Sequence, residues 1–225
     1  MTEQNIEKIS IEKIAAELES ENSRDRLLAL VSLRDVPAAE AVPLIKKVLD
    51  DENVPVRSMA VFALGIKATE ESYPLLAQLL QTDSDYGVRA SAAGALGYLE
   101  DEQAFEALVR AFYEDESWLV RFSAAVSLGN LKNPRAKDLL IGALDSEEVI
   151  LQQAAIAALG EIKSIDSLDN ILHFVDSDDW LVRQRLADAL GNLPVAKSIS
   201  ALKYLEKDSN PQVARAATLS LERLA

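Results

Sequence analysis

Arg57, Arg89 and Arg121 each follow an aspartate by six residues, namely Asp51, Asp83 and Asp115. A guanidinium at fixed spacing from a carboxylate supports two chemistries. It can form a ladder of bidentate hydrogen bonds that ties one segment to the next, or it can grip an acidic ligand such as a propionate. The repetition favours the ladder, because contacts between stacked segments are needed once per segment and ligand contacts are not. Other reactive groups are sparse: the 225 residues include one histidine, His173, and no cysteine. A metal centre needs several converging His, Cys or carboxylate ligands, so His173, between Leu172 and Phe174, is read as filling a helix end. The chain has no G-x-S-x-G elbow, no G-x-x-x-x-G-K loop and no G-x-G-x-x-G turn. Carboxylates are abundant and nothing singles one out. No catalytic residue and no metal ligand is assigned.

The aromatic residues carry a second pattern. Tyr86, Trp118 and Trp180 each stand two residues before the valine of a Val-Arg pair, where other segments have Val54, Val149 and Pro211. Phe62 stands five after Arg57, where other segments have Gly94, Val126, Ala157 and Asp188. Phe122 stands one after Arg121, where others have Ser58, Ala90, Gln153 and Gln184. Each ring either packs over the start of its own helix or offers a partner a large apolar anchor of the kind enriched at interfaces. Tyr86, Trp118, Trp180, Phe62 and Phe122 are therefore the candidate partner-binding residues.

The elements that must position these residues follow from a longer period. Leu64-Gly65, Leu96-Gly97, Leu128-Gly129, Leu159-Gly160 and Leu190-Gly191 recur at intervals of 32, 32, 31 and 31 residues. Such a period marks stacked copies of one small unit, none able to bury its apolar face alone. Within a unit, apolar residues recur three and four apart, so each unit is a pair of helices. The first helix carries long side chains such as Leu75, Leu76, Leu79 and Leu80; the second carries small ones such as Ala92, Ala93 and Ala95, which let neighbours approach closely. The expected fold is an all-α solenoid of about seven pairs, some fourteen helices in a right-handed superhelix with the second helices inside. Residues 1–225 read as one continuous array, with residues 1–10 loose and a capping helix over 9–20. Asp or Ser ahead of each second helix is expected to cap it, and the recurrent glycine to take the left-handed position past its end. Pro55 and Pro211 fall near the start of second helices, and Pro43 and Pro74 are expected in the first turn of first helices.

Net charge is −14, from 37 acidic and 23 basic residues. Nucleic-acid binding rests on clustered Lys and Arg that neutralise phosphates, and this charge has the opposite sign. The acidity serves solubility or steers a basic partner surface. No run approaches the ~18 apolar residues of a membrane helix, and no basic-then-apolar leader opens the chain. A cytoplasmic protein, bound to neither membrane nor nucleic acid, is expected.

The consensus Asp-x-x-x-x-Val-Arg-x-x-Ala-x-x-Ala-Leu-Gly resembles the HEAT-type repeat of phycobilisome bilin lyases. The segments Ser84 to Leu99 and Trp118 to Leu131 are similar to cyanobacterial members of that group, and the resemblance covers nearly the whole chain. It implies attachment, removal or escort of linear tetrapyrroles on phycobiliproteins. E/F-type lyases of the group work as two different subunits, and relatives without a lyase partner include factors associated with phycobilisome degradation. The acceptor thiol in such reactions belongs to the phycobiliprotein, so the absence of cysteine is neutral. No acid, base or bilin pocket carries over to a residue of this chain. The implied function is an auxiliary protein-binding scaffold whose partner is a phycobiliprotein or a chromophore- or cofactor-handling factor. Two alternatives stand beside it: a lyase subunit acting on the tetrapyrrole itself, and an adaptor for another cofactor-assembly or stress pathway. The iron-dependent hydroxylases built from similar repeats use recurring His-Glu pairs, which are absent here.

Overall fold

The structure is a computed structural model that describes residues 11–225. The loose segment expected over residues 1–10 lies outside the described residues. Among those described, seven odd-numbered helices form one layer: α1 (Ile11–Glu17), α3 (Ala38–Lys46), α5 (Ser72–Thr82), α7 (Ala104–Glu114), α9 (Lys137–Ala143), α11 (Leu168–Leu172) and α13 (Ala196–Leu205). Seven even-numbered helices form the other: α2 (Ser23–Ser32), α4 (Val54–Ile66), α6 (Tyr86–Tyr98), α8 (Trp118–Asn130), α10 (Val149–Glu161), α12 (Trp180–Leu190) and α14 (Pro211–Leu224). The described residues contain no strand. α1 buries Ile14 and packs on α2 as the first helix of the first pair.

One apolar core runs from Ile14 to Ala217, filled by the long side chains of the odd helices and the alanines of the even ones. Each even helix packs along its neighbour in the next pair, from α2 against α4 through to α12 against α14. Successive odd helices, with their longer side chains, touch one another less than successive even helices do, so the even layer is the more closely packed.

The glycine expectation is corrected. No glycine has positive φ; the left-handed positions belong to Glu100, Lys132 and Lys163, at φ 50°, 52° and 53°, three residues past Gly97, Gly129 and Gly160. The glycines sit at the ends of even helices because the next even helix leaves no room for a side chain. A Cβ on Gly97 would lie 2.6 Å from Ser127 Oγ, and one on Gly129 would lie 2.8 Å from Ala158 Cα. Gly65, Gly160 and Gly191 meet Ala95, Ala189 and Ser220 in the same way.

The caps also differ in detail. Asn22, Asn53, Asp85, Asp179 and Asn210 accept backbone N–H groups of their helices, whereas Ser117 makes no side-chain cap. Pro74 lies in the first turn of α5 as expected, but Pro43 lies inside α3, because that helix already starts at Ala38 behind Pro37.

Candidate functional site

The arginines build a ladder between repeats. Arg57 donates from Nε (2.9 Å) and Nη2 (3.1 Å) to the carboxylate of Asp83 in the next repeat, and from Nη1 to the carbonyl of Asp51 in its own (2.8 Å). Arg89 does the same to Asp115 at 2.8 and 3.0 Å and to the Asp83 carbonyl at 3.0 Å. Arg183 grips Asp208 at 2.7 and 3.0 Å, and Arg26 reaches Asp51 at 2.8 Å. Where Ser146 replaces the aspartate, Arg121 turns to Glu148, 2.6 Å from each oxygen. Where Gln152 replaces the arginine, only its bond to the Ser146 carbonyl remains, at 2.8 Å.

The acceptors also order the loops. Asp83 and Asp115 take the backbone N–H two residues on, at 2.8 and 2.9 Å, which fixes the chain ahead of the even helix. The Arg183 guanidinium holds the Asp208 carboxyl below its ordinary pKa, against the opposing effect of burial. Burial is the largest single influence and by itself would raise Asp51 and Asp115, but the bonds from Arg26 and Arg89, the backbone N–H groups of Asn53 and Ser117 and the charges of the ladder arginines together outweigh it, and both are lowered. Each of these guanidiniums is paired with a carboxylate of the protein itself, which makes the ladder structural.

Tyr86, Trp118 and Trp180 are the first residues of α6, α8 and α12 and stay 56%, 49% and 42% exposed. Because the even helices lie side by side, these rings line one edge of the stack. Exposed Val149 fills the place between Trp118 and Trp180. Phe122, one turn beyond Trp118 on α8, is half-buried against the core. Phe62 lies elsewhere: it is 55% exposed on α4, two turns past the edge position of that helix.

Phe62 and Ile66 line two adjoining grooves between even helices. One, of about 670 Å³, runs between α4 and α6 and is lined by Phe62, Ile66, Ser91, Gly94 and Tyr98. The other, of about 210 Å³, runs between α2 and α4 past Leu30, Val31, Met59, Phe62 and Ile66. The sequence pattern does not single out Val31, Ile66 and Tyr98, although all are large, apolar and more than half exposed. The one signal is Tyr98 itself, which stands after Gly97 where later repeats have Asn130, Glu161 and Asn192. Gly94 marks the same place from the backbone side, since a Cβ added there would meet nothing within 4 Å.

Among the described residues no acid–base constellation is assembled. Burial raises the Asp188 carboxyl on α12, and Arg185 and Arg223 pull against that shift. No base or nucleophile is hydrogen-bonded to it. His173 follows the last residue of α11 and is exposed. No group of residues suited to a metal ion, and no helix long and apolar enough to cross a membrane, occurs among the described residues.

Comparison with solved structures finds this arrangement elsewhere. Over 100% of this chain and 98% of the other, it is similar to a chain in the complex of CpcE and CpcF of phycocyanin lyase from Nostoc sp. PCC7120, with 22% identity and a TM-score of 0.63. It also matches Kap95p, solved with RanGDP, at 15% identity and TM-score 0.64 over 100% of this chain and 36% of the other. An engineered protein matches at 22% identity and TM-score 0.55, over 95% and 68% of the two chains. At these identities the likeness establishes the fold. Comparison with curated proteins finds no match. The sequence matches the HEAT-repeat family over residues 11–97, 74–151 and 143–222, nearly all of the described stack. With the helix pairs, the ladder and the glycine seams all following that repeat, the chain belongs to the HEAT-repeat family.

Proposed function

We propose that the chain is a protein-binding HEAT-repeat scaffold of the phycobilisome bilin lyase-like group, auxiliary to chromophore attachment, removal or turnover on phycobiliproteins. The observation that carries this reading is the row of half-exposed rings, Tyr86, Trp118 and Trp180, on helix starts that the arginine ladder holds rigid. Rigid aromatic anchors lose little entropy on binding, which is what a partner-binding edge requires. The full-length likeness to the CpcE–CpcF lyase complex supports a phycobiliprotein or a chromophore-handling factor as the partner. The test is sedimentation of the purified chain with a purified phycobiliprotein. Co-migration in a saturable complex is expected, and independent migration contradicts the reading.

The grooves beside Phe62 favour a second reading, direct handling of a linear tetrapyrrole, since the larger is within the usual size of ligand sites, roughly 300–1,000 Å³. Both grooves are open troughs between neighbouring helices, so the isolated chain is expected to leave the visible absorption band of a linear tetrapyrrole almost unshifted. A stoichiometric coloured complex would favour the second reading over the first.

A further inference from the structure

The loops ahead of the even helices carry a column of carboxylates that the ladder leaves unused. Glu52, Glu116, Glu147 and Asp178 each stand two residues before the first residue of an even helix, one repeat or two apart, and all are exposed. Among the described residues no hydrogen bond or ion pair holds their side chains. Their backbones are fixed, because the carbonyls of Glu52, Glu116 and Asp178 take a second, longer contact of 3.4 to 3.5 Å from the ladder arginines. Those arginines are neutralised by Asp83, Glu148 and Asp208, so the charge left on this edge is negative. The rings of Trp118 and Trp180 lie two residues from Glu116 and Asp178, whereas Tyr86 has Ser84 at that position and follows Asp85, which caps its helix.

A π-face beside a free carboxylate is a site for a cation, above all a guanidinium, which can stack on the ring and pair with the oxygens together. We infer that this edge takes an extended basic segment of a partner protein, its arginines stacking on the ridge rings and pairing with the carboxylates between them. The inference rests on the partner-binding reading of the ridge and adds the chemistry of what binds there. Geometry sets the spacing. Neighbouring helices lie about 8–10 Å apart, and a segment in the polyproline II conformation advances about 3.1 Å per residue with three residues per turn, so cations every third residue fall on one face and meet successive repeats. The chain already makes one such contact internally, with the Arg135 guanidinium 4.3 Å from the Phe105 ring centroid.

Trp118 and Trp180 are the only tryptophans, so their emission reports on this edge directly. The full chain is titrated with a peptide of repeated Arg-Ser-Gly triplets, and with the matching Gln-Ser-Gly peptide. A saturable change in emission is expected with the first, weakened by salt, and none with the second. By calorimetry, affinity should fall about tenfold or more in Trp118→Ala and in the triple variant Glu116→Gln, Glu147→Gln, Asp178→Gln, with helical circular dichroism unchanged in both. No response to millimolar arginine peptide overturns the inference. So does undiminished binding by Trp118→Ala, which would mark charge attraction without the rings. If the arginine peptide fails while a phycobiliprotein still depends on Trp118, the basic-segment chemistry falls and the ridge reading stands. If both fail, the ridge itself is rejected.

Discussion

At the scale of single residues, two glycines three apart on α6 do opposite things. A methyl group at Gly94 would meet nothing within 4 Å, whereas at Gly97 it would lie 2.6 Å from Ser127 Oγ and 2.7 Å from its Cβ. Ser127 cannot swing clear without breaking its 2.8 Å bond to the Ala93 carbonyl. Gly94→Ala should therefore raise stability by roughly 0.5–1 kcal/mol, the ordinary difference between these residues in a helix interior. Gly97→Ala should lower it by about 1–3 kcal/mol through overpacking. Denaturant midpoints of the two variants check the pair, and the reverse order would contradict the close-packed seam. The Leu-Gly spacing exposes the recurrence of glycine in the sequence without its reason, because a backbone approach between residues 30 apart leaves no local trace. Gly94 is legible only as a small residue in a column shared with Phe62 and Val126. That it opens a groove depends on where Tyr98 and Ile66 point, which spacing does not tell.

At the scale of elements, the ladder is legible as a six-residue Asp-Arg spacing, and its span is not. Arg57, Arg89 and Arg121 use the aspartate of their own repeat only through its backbone carbonyl, and their carboxylate partners come from the next repeat. The rung between α10 and α12 is missing, with Gln152 in place of the arginine and Ser177 in place of the aspartate. The double variant Gln152→Arg, Ser177→Asp should restore it and stabilise the protein by on the order of 1 kcal/mol more than the sum of the single changes. A double-mutant cycle measures that coupling, and strict additivity would show that the rungs carry none. Conversely, Asp115→Ala leaves the Arg89 guanidinium without its carboxylate in a mostly buried site and should cost about 3 kcal/mol. Pro43 shows the other limit of sequence reading: helix starts set by the fit between layers shift by several residues, and a proline tolerated in an interior turn gives no warning.

At the scale of the whole molecule, the same carboxylates link stability to pH. Asp51, Asp115 and Asp208 are lowered in the folded state, so the unfolded chain binds protons first as pH falls. Their contribution is complete above the ordinary aspartate pKa, about 3.9, and is lost as pH falls through the lower folded values. A net charge of −14 acts the other way between neutrality and that range, since partial protonation relieves repulsion. The thermal midpoint should hold or rise from about pH 7 to 5 and drop steeply below about pH 4, and a monotonic fall from neutrality would contradict the ladder's part in it. The solenoid itself is almost wholly legible in the sequence, because a repeat states its fold several times over. The surface is legible only where an aromatic residue breaks a column, since nothing in the periodicity distinguishes a ring that packs from one that waits for a partner. The function proposed for the ridge turns on that distinction, and Trp118→Ala decides it, with melting temperature and phycobiliprotein affinity measured on the same sample. A ring that waits for a partner leaves the melting temperature nearly unchanged and weakens affinity by about 2 kcal/mol or more when removed, the level of an interface hot spot. A loss of stability in the range of about 3–5 kcal/mol, as for a buried tryptophan, with affinity unchanged in the folded fraction, would contradict it.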